Sequence, residues 1–244
     1  MALTTWLGLL RSLVIYHNPV RTVPLRRFYR ELLRPNDLVF DVGAHVGTRA
    51  RAMRAAGARV VALEPQVPFS TFLRLTLPRD IRLIEAAAGG ADTVAEMAVS
   101  SLHPTVSSLK TGFVETAGAA PGFGHVRWDS VQKVQVTTLD SLIREEGLPR
   151  YVKIDVEGFE LEVLSGLSHP VEMISVEYLP GLPDLTLSVI TRLEELGDYS
   201  FNPVSGEAGR FLWTDWRGAA ATRSWLSSLP ADSLSGDLYA RLRA

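Results

Sequence analysis

Short, dense apolar runs alternate along this chain with stretches whose apolar residues recur every three or four positions, the mark of strands and helices taking turns. Asp37 to Val42 (DLVFDV), Arg59 to Leu63 (RVVAL), Ile81 to about Ala87, Tyr151 to Asp155 and Val171 to Tyr178 have strand character. Between them an alanine- and arginine-rich segment ending near Gly57, then Gln66 to Leu77, Leu139 to Glu146, Glu157 to Leu167 and Leu185 to Leu196 have helical period. Repeated strand-helix units imply a parallel sheet covered on both faces. Thr93 to Ser100 and Val131 to Thr137 alternate with period two around a glycine- and serine-rich stretch, Thr105 to Gly124, which predicts an antiparallel insertion with a long loop.

Ahead of the first strand, Trp6, Leu7, Leu10, Leu13 and Val14 share a helical face before Pro19 and Pro24, so two short helices are expected there. After Leu196, short strands around Phe201 and at Phe211 to Trp213 lead into helical residues as far as Ala244. The prediction is a doubly wound α/β fold with a seven-stranded, mostly parallel sheet. It has a helical extension at 1–36, a main domain at 37–215 with a variable loop at 89–138, and a helical tail at 216–244.

With 244 residues, 46% of them hydrophobic and 21% charged, the chain can bury one ordinary core. A formal charge of −2 gives no footing for a polyanionic partner, and nucleic acid is not expected. The absence of cysteine removes disulfides, thiolate metal sites and thiol nucleophiles. The N-terminal apolar run is broken by Gly8, Arg11 and Ser12 and is too short to span a bilayer, so a cytoplasmic protein is expected. Arg11, Arg21, Arg26, Arg27, Arg30 and Arg34 face only Glu31 before residue 36. This segment therefore reads either as a helix packed on the core or on a homodimer mate, or as one lying on a membrane surface.

Candidate chemistry gathers at strand ends. Asp41-Val42-Gly43-Ala44-His45-Val46-Gly47 follows a strand and opens a helix, with Gly43 and Gly47 free to let a ligand approach the backbone. Glu64, 21 residues after Gly43, ends the second strand where an acid accepts from ribose hydroxyls. The D-x-G-x-x-x-G spacing lacks the third glycine of a pyrophosphate turn, and Asp41 would repel a phosphate but suits an amine. Asp155 ends a strand at the same rim, and Glu157 and Glu160 follow on one helical face, where the helix dipole alone would favour acids. Glu177 ends the next strand, so Asp155 and Glu177 offer two hard ligands for Mg²⁺, a site less favoured than direct use of the acids as catalysts. His17, His45, His103, His125 and His169 show no zinc spacing, and only His45 lies near the turn.

Taken together, D41-V-G-A-H-V-G47, A62-L-E-P65, S107-S-L109, T138-L-D140, K153-I-D-V-E-G-F-E160 and S175-V-E177 resemble the FkbM-type methyltransferases over about Asp37 to Tyr178. The resemblance implies a class I, Rossmann-like methyltransferase fold. It also implies S-adenosylmethionine as cofactor and O-methylation of a small-molecule or glycan acceptor such as a sugar, glycolipid or natural product. By the same resemblance Asp41, Gly43, His45, Gly47, Glu64, Pro65 and Asp155 hold the cofactor, with adenine left to Glu85 or backbone near Ala87. Asp155, Glu157 and Glu177 are the catalytic candidates, Asp155 or Glu157 being the expected base. His45 stands where the family usually has asparagine, and Ala88-Gly89-Gly90 where it often has an acid. Two other readings remain: a nucleic-acid N-methyltransferase, whose Asn/Asp/Ser-Pro-Pro-aromatic turn is missing here, and a non-enzymatic Rossmann-like binding protein.

Overall fold

The computed structural model describes residues 9, 10, 12, 13, 19–100, 130–206 and 209–243. The loop expected between the antiparallel strands, with Ser107 to Leu109, His103 and His125, lies outside them, as do Trp6 and His17.

The main sheet takes β1 (Leu38–Val42), β2 (Arg59–Leu63), β3 (Arg82–Ile84), β7 (Tyr151–Ile154), β8 (Met173–Tyr178), β9 (Tyr199–Ser205) and β10 (Gly236–Leu242). Their spatial order is β3-β2-β1-β7-β8-β10-β9, with β10 antiparallel to both neighbours and the pairings from β3 to β8 parallel. A three-stranded sheet, β4-β6-β5, joins β4 (Ala87–Ala88), β5 (Thr93–Val99) and β6 (Ser130–Thr137). The helices are α1 (Pro19–Leu32), α2 (Thr48–Ala55), α3 (Phe69–Thr76), α4 (Leu139–Glu146), α5 (Glu160–Ser165), α6 (Pro183–Leu196) and α7 (Ala219–Ser227).

Strand alternation divides the core in two, as the pleat requires. Phe40, Val42, Val152, Ile154, Ile174, Val176 and Leu238 turn to one face and pack with Leu142, Leu164, Ile190 and Leu226 of α4 to α7. Val39, Tyr151, Met173 and Tyr239 turn to the other and pack with Leu25, Phe28 and Tyr29 of α1 and Met53 of α2. Asp41 and Lys153, two residues on from Val39 and Tyr151, share this second face and are neighbours in the β1–β7 register.

The tail departs from expectation. Residues 236–242 are a strand, not a helix, and they insert between β8 and β9. The period-two alternation of Asp237, Tyr239 and Arg241 with Leu238, Ala240 and Leu242 was the available signal. The tail and the main domain therefore share one sheet, and the expected boundary at 216 is corrected. Phe211 to Trp213 form no strand. Trp213 is held by Asn202, whose Oδ1 accepts its N–H at 3.0 Å, and Phe211 packs on Phe28.

Two further boundaries move for stated reasons. The third strand splits, because the chain leaves the main sheet after Ile84 and pairs Ala87 with Val136 in the small sheet. Helix α5 starts at Glu160 rather than Glu157, since Glu157 (φ 54°) and Gly158 (φ 86°) adopt left-handed backbone that interrupts a helix. Helix α1 runs through Pro24 rather than restarting there. Among the described residues no helix is long and apolar enough to cross a membrane.

Candidate active site

The carboxyl ends of β1, β2, β7 and β8 open on a cavity of about 300 Å³, where ligands bind in open α/β sheets. Gly43, His45, Glu64, Pro65, Gln66 and Ala86 to Ala88 line one side, with Met97 from the small sheet. Asp155, Glu157, Phe159 and Glu177 line the other, together with Arg49, Leu25 and Asp237.

The glycine turn is held by close backbone contact. Gly43 has φ 81°, and a Cβ there would lie 2.0 Å from the Asp155 carbonyl oxygen, so only glycine lets the β1 and β7 ends touch. Glu64 sits behind this turn with both oxygens engaged: Oε2 accepts the His45 N–H at 2.7 Å and Oε1 the Gln66 N–H at 2.8 Å. Burial pushes its carboxyl up to about 7 against those two donors. Gly47 is not on the cavity. Its left-handed backbone (φ 75°) lets the chain turn into α2, and a Cβ there would also crowd the Arg51 and Leu73 side chains. Glu85 is likewise outside, exposed and paired with Arg74 at 3.0 Å, and Ala87 supplies the wall in its stead.

Lys153 organises the charges beneath the cavity. Its Nζ lies 3.0 Å from Asp155 Oδ2, 3.7 Å from Asp41 Oδ1 and 3.5 Å from the Gly43 carbonyl. Burial disfavours this ammonium, but Asp155, Asp41 and Asp237 outweigh it and raise its pKa. Asp41 is fully buried, and neither oxygen has a hydrogen-bond partner. Burial raises its pKa despite Lys153 and Arg49. Asp155 behaves oppositely, for Lys153 and Arg49 overcome its burial and hold the carboxyl below the usual range.

Glu157 and Glu177 complete the acid group. One carboxylate oxygen from each of Asp155, Glu157 and Glu177 lies within 4.8 Å of the others, an arrangement able to hold a divalent cation. Burial first, and then the Asp155 charge among its neighbours, pushes Glu157 well up; burial and then Glu157 and Asp155 do the same to Glu177. Glu177 Oε2 is buried without a hydrogen-bond partner. Glu160 is not part of this group. Its Oε1 accepts the N–H groups of Val156 and Gly158, each at 3.2 Å, and so fastens the loop carrying Glu157.

The sequence reading missed Lys153, Arg49, Gln66 and Asp237. Lys153 was legible, as the one charge in an otherwise apolar strand. Asp237 was not, because it depends on β10 entering the sheet, where it stands opposite Glu177 and pairs with Arg49 at 3.0 Å.

Strand order, reversed β10 and rim acids together define a class I methyltransferase fold. A TehB-like SAM-dependent methyltransferase from Corynebacterium glutamicum has this fold, at a TM-score of 0.50 and 10% identity, with 96% of this chain and 94% of that one covered. Residues 41–200 match the methyltransferase FkbM domain, and the chain belongs to that family. It is 30% identical over 151 residues to the hexuronic acid methyltransferase AglP of Haloferax volcanii, covering 61% of this chain and 57% of that protein. It is 29% identical over 167 residues to the AMB antimetabolite synthetase AmbE of Pseudomonas aeruginosa, covering 56% of this chain and 8% of that one. The chain thus spans little more than half of the first relative and a small part of the second.

Proposed function

We propose that this protein transfers a methyl group from S-adenosylmethionine to a hydroxyl of a sugar-like or other small acceptor. The observation that carries this reading is the acid group at the β7–β8 rim, held beside a glycine turn by Lys153. Of the acids assigned to the cofactor, Glu64 and Asp155 line the cavity and Glu64 suits the ribose hydroxyls, whereas Asp41, fully buried beneath the rim and not part of the lining, reaches the cavity only through Lys153. His45, Pro65 and Ala87 wall the remainder of that side. When bound, the cofactor supplies an electrophilic methyl on a sulfonium.

The protein's own task is to hold the acceptor oxygen in line and take its proton. Asp155, kept ionised by Lys153, is the weaker base. Glu157 and Glu177, both raised first by burial and then by neighbouring acids that include Asp155, accept a proton more readily once ionised, so the base is one of these. That carboxylate would take the acceptor's proton while the bound cofactor would supply the methyl group to the acceptor oxygen. The relative's hexuronic acid favours sugars as the first acceptors to assay. Incubating the protein with methyl-labelled cofactor and a panel of neutral and acidic glycosides tests the reading. Label appearing as an ether is expected; label on nitrogen, or binding of NAD in preference to the cofactor, would sink it.

A second reading follows from the three converging carboxylates. Sequence reasoning set Mg²⁺ aside because two ligands were in view, and the structure adds Glu157 as a third. A cation there would polarise the acceptor hydroxyl in place of a strong base. Loss of turnover in a chelator, restored by Mg²⁺ or Mn²⁺, selects it.

A further inference from the structure

Helix α1 buries Leu25, Phe28 and Tyr29 and turns Val23, Arg26, Arg27, Arg30 and Glu31 outward, with exposed Arg34 just past its end. At roughly 100° per residue, Val23, Arg26, Arg27 and Arg30 fall within about 100° of arc. Arg27 pairs with Glu31 at 3.2 Å, while Arg26, Arg30 and Arg34 have no ion pair among the described residues. Several arginines elsewhere are matched to acids, among them Arg54 to Asp80, Arg74 to Glu85, Arg150 to Asp37 and Glu172, Arg192 to Glu195 and Arg223 to Glu194, while those without an ion pair among the described residues, such as Arg59, Arg79, Arg144 and Arg210, stand apart from one another along the chain. The chain as a whole is net negative, whereas residues 26–34 hold four arginines against one acid, Glu31.

We propose that the outer face of α1 docks on an anionic phospholipid surface. Guanidinium forks match lipid phosphates in geometry as well as charge. Val23, 63% exposed in the middle of the basic face, and Leu10, 57% exposed on the preceding segment, supply the apolar contact that an interfacial helix uses. A nucleic acid would have no use for these apolar side chains. Leu25, on the opposite side of α1 from Val23, lines the cavity, so the docked helix stands between the lipid and that wall.

Flotation of the full chain with vesicles decides the matter, using phosphatidylcholine alone and an equal mixture of phosphatidylcholine with phosphatidylglycerol, at low and at high salt. The intact protein floats with the mixed vesicles at low salt and not with phosphatidylcholine. Combining Arg26→Gln, Arg27→Gln, Arg30→Gln and Arg34→Gln weakens binding by about a hundredfold or more, with the melting temperature unchanged. A matched variant with Arg54, Arg74, Arg192 and Arg223 changed to Gln binds as the wild type does. Failure of the intact protein to float, equal binding by the α1 variant, equal loss in the matched variant, or tighter binding to duplex DNA in the same buffer would each overturn the proposal.

Discussion

The two sides of the cavity are built on opposite terms. On the β1–β2 side, Glu64 has a backbone donor on each oxygen and sits within a contiguous turn. On the β7–β8 side, Asp155, Glu157 and Glu177 crowd one another and are steadied by Lys153 from below. A satisfied acid provides a fixed contact, whereas crowded acids store proton affinity. The first suits recognition of a ligand that is the same in every turnover, and the second suits chemistry.

The contrast is broken most severely at Lys153. Lys153→Met leaves the fully buried Asp41 and the half-buried Asp155 without their nearest cation, and a loss of about 3–5 kcal/mol in unfolding free energy, most of it from Asp41, is expected by denaturant titration. A change within error would mean that Arg49 alone neutralises both acids.

The two sides should look alike in one respect, because Glu64 and Glu160 are each buried, each fastened by backbone N–H groups and each raised to about 7. An acid raised in the folded state binds protons there that the unfolded chain releases. Stability is therefore full below the unfolded pKa and is lost as pH rises through the folded one. Each should cost up to about 3 kcal/mol across that window. Melting temperature should fall from mildly acidic to neutral pH, and Glu160→Gln should flatten the slope. An unaltered slope would place the titration elsewhere.

Turnover separates the sides next. Glu157→Gln or Glu177→Gln, whichever removes the base, should lower kcat by about a hundredfold or more while calorimetric affinity for S-adenosylhomocysteine stays within about twofold. Wild-type activity should fall as pH drops through the raised carboxyl. Asp155→Asn, which removes the neighbouring charge, should move that acid limb to lower pH. An unmoved limb counts against Asp155 as the group that tunes the base.

The smallest expected effect is on the other side. Glu64→Ala should weaken S-adenosylhomocysteine binding by about tenfold, since two charge-assisted hydrogen bonds are replaced by water, with acceptor KM little changed. Affinity unchanged would detach Glu64 from the ribose.

How much was legible depended on how local the cause was. Strands β1, β2 and β7 and helix α4 were readable within a residue because their apolar period and turns lie inside short windows. Gly43 and Glu64 were readable because a tight turn and a strand end impose residue types over a span of 21 positions. Gly47, equally a glycine, has left-handed backbone (φ 75°) at the start of α2 and stands off the cavity, which its spacing from Gly43 did not reveal.

The sequence alone thus determined the alternation of strand and helix, the parallel sheet and the acids at its rim, since these follow from side-chain period and backbone conformation. Tertiary structure decided what no window contains. It placed β10 between β8 and β9, set Asp237 beside Arg49, and inserted Lys153 between the buried Asp41 and the half-buried Asp155. Desolvation and Coulomb energies depend on distances between residues far apart in the chain, so whether Asp155, Glu157 or Glu177 can take a proton is settled only when the fold brings them together.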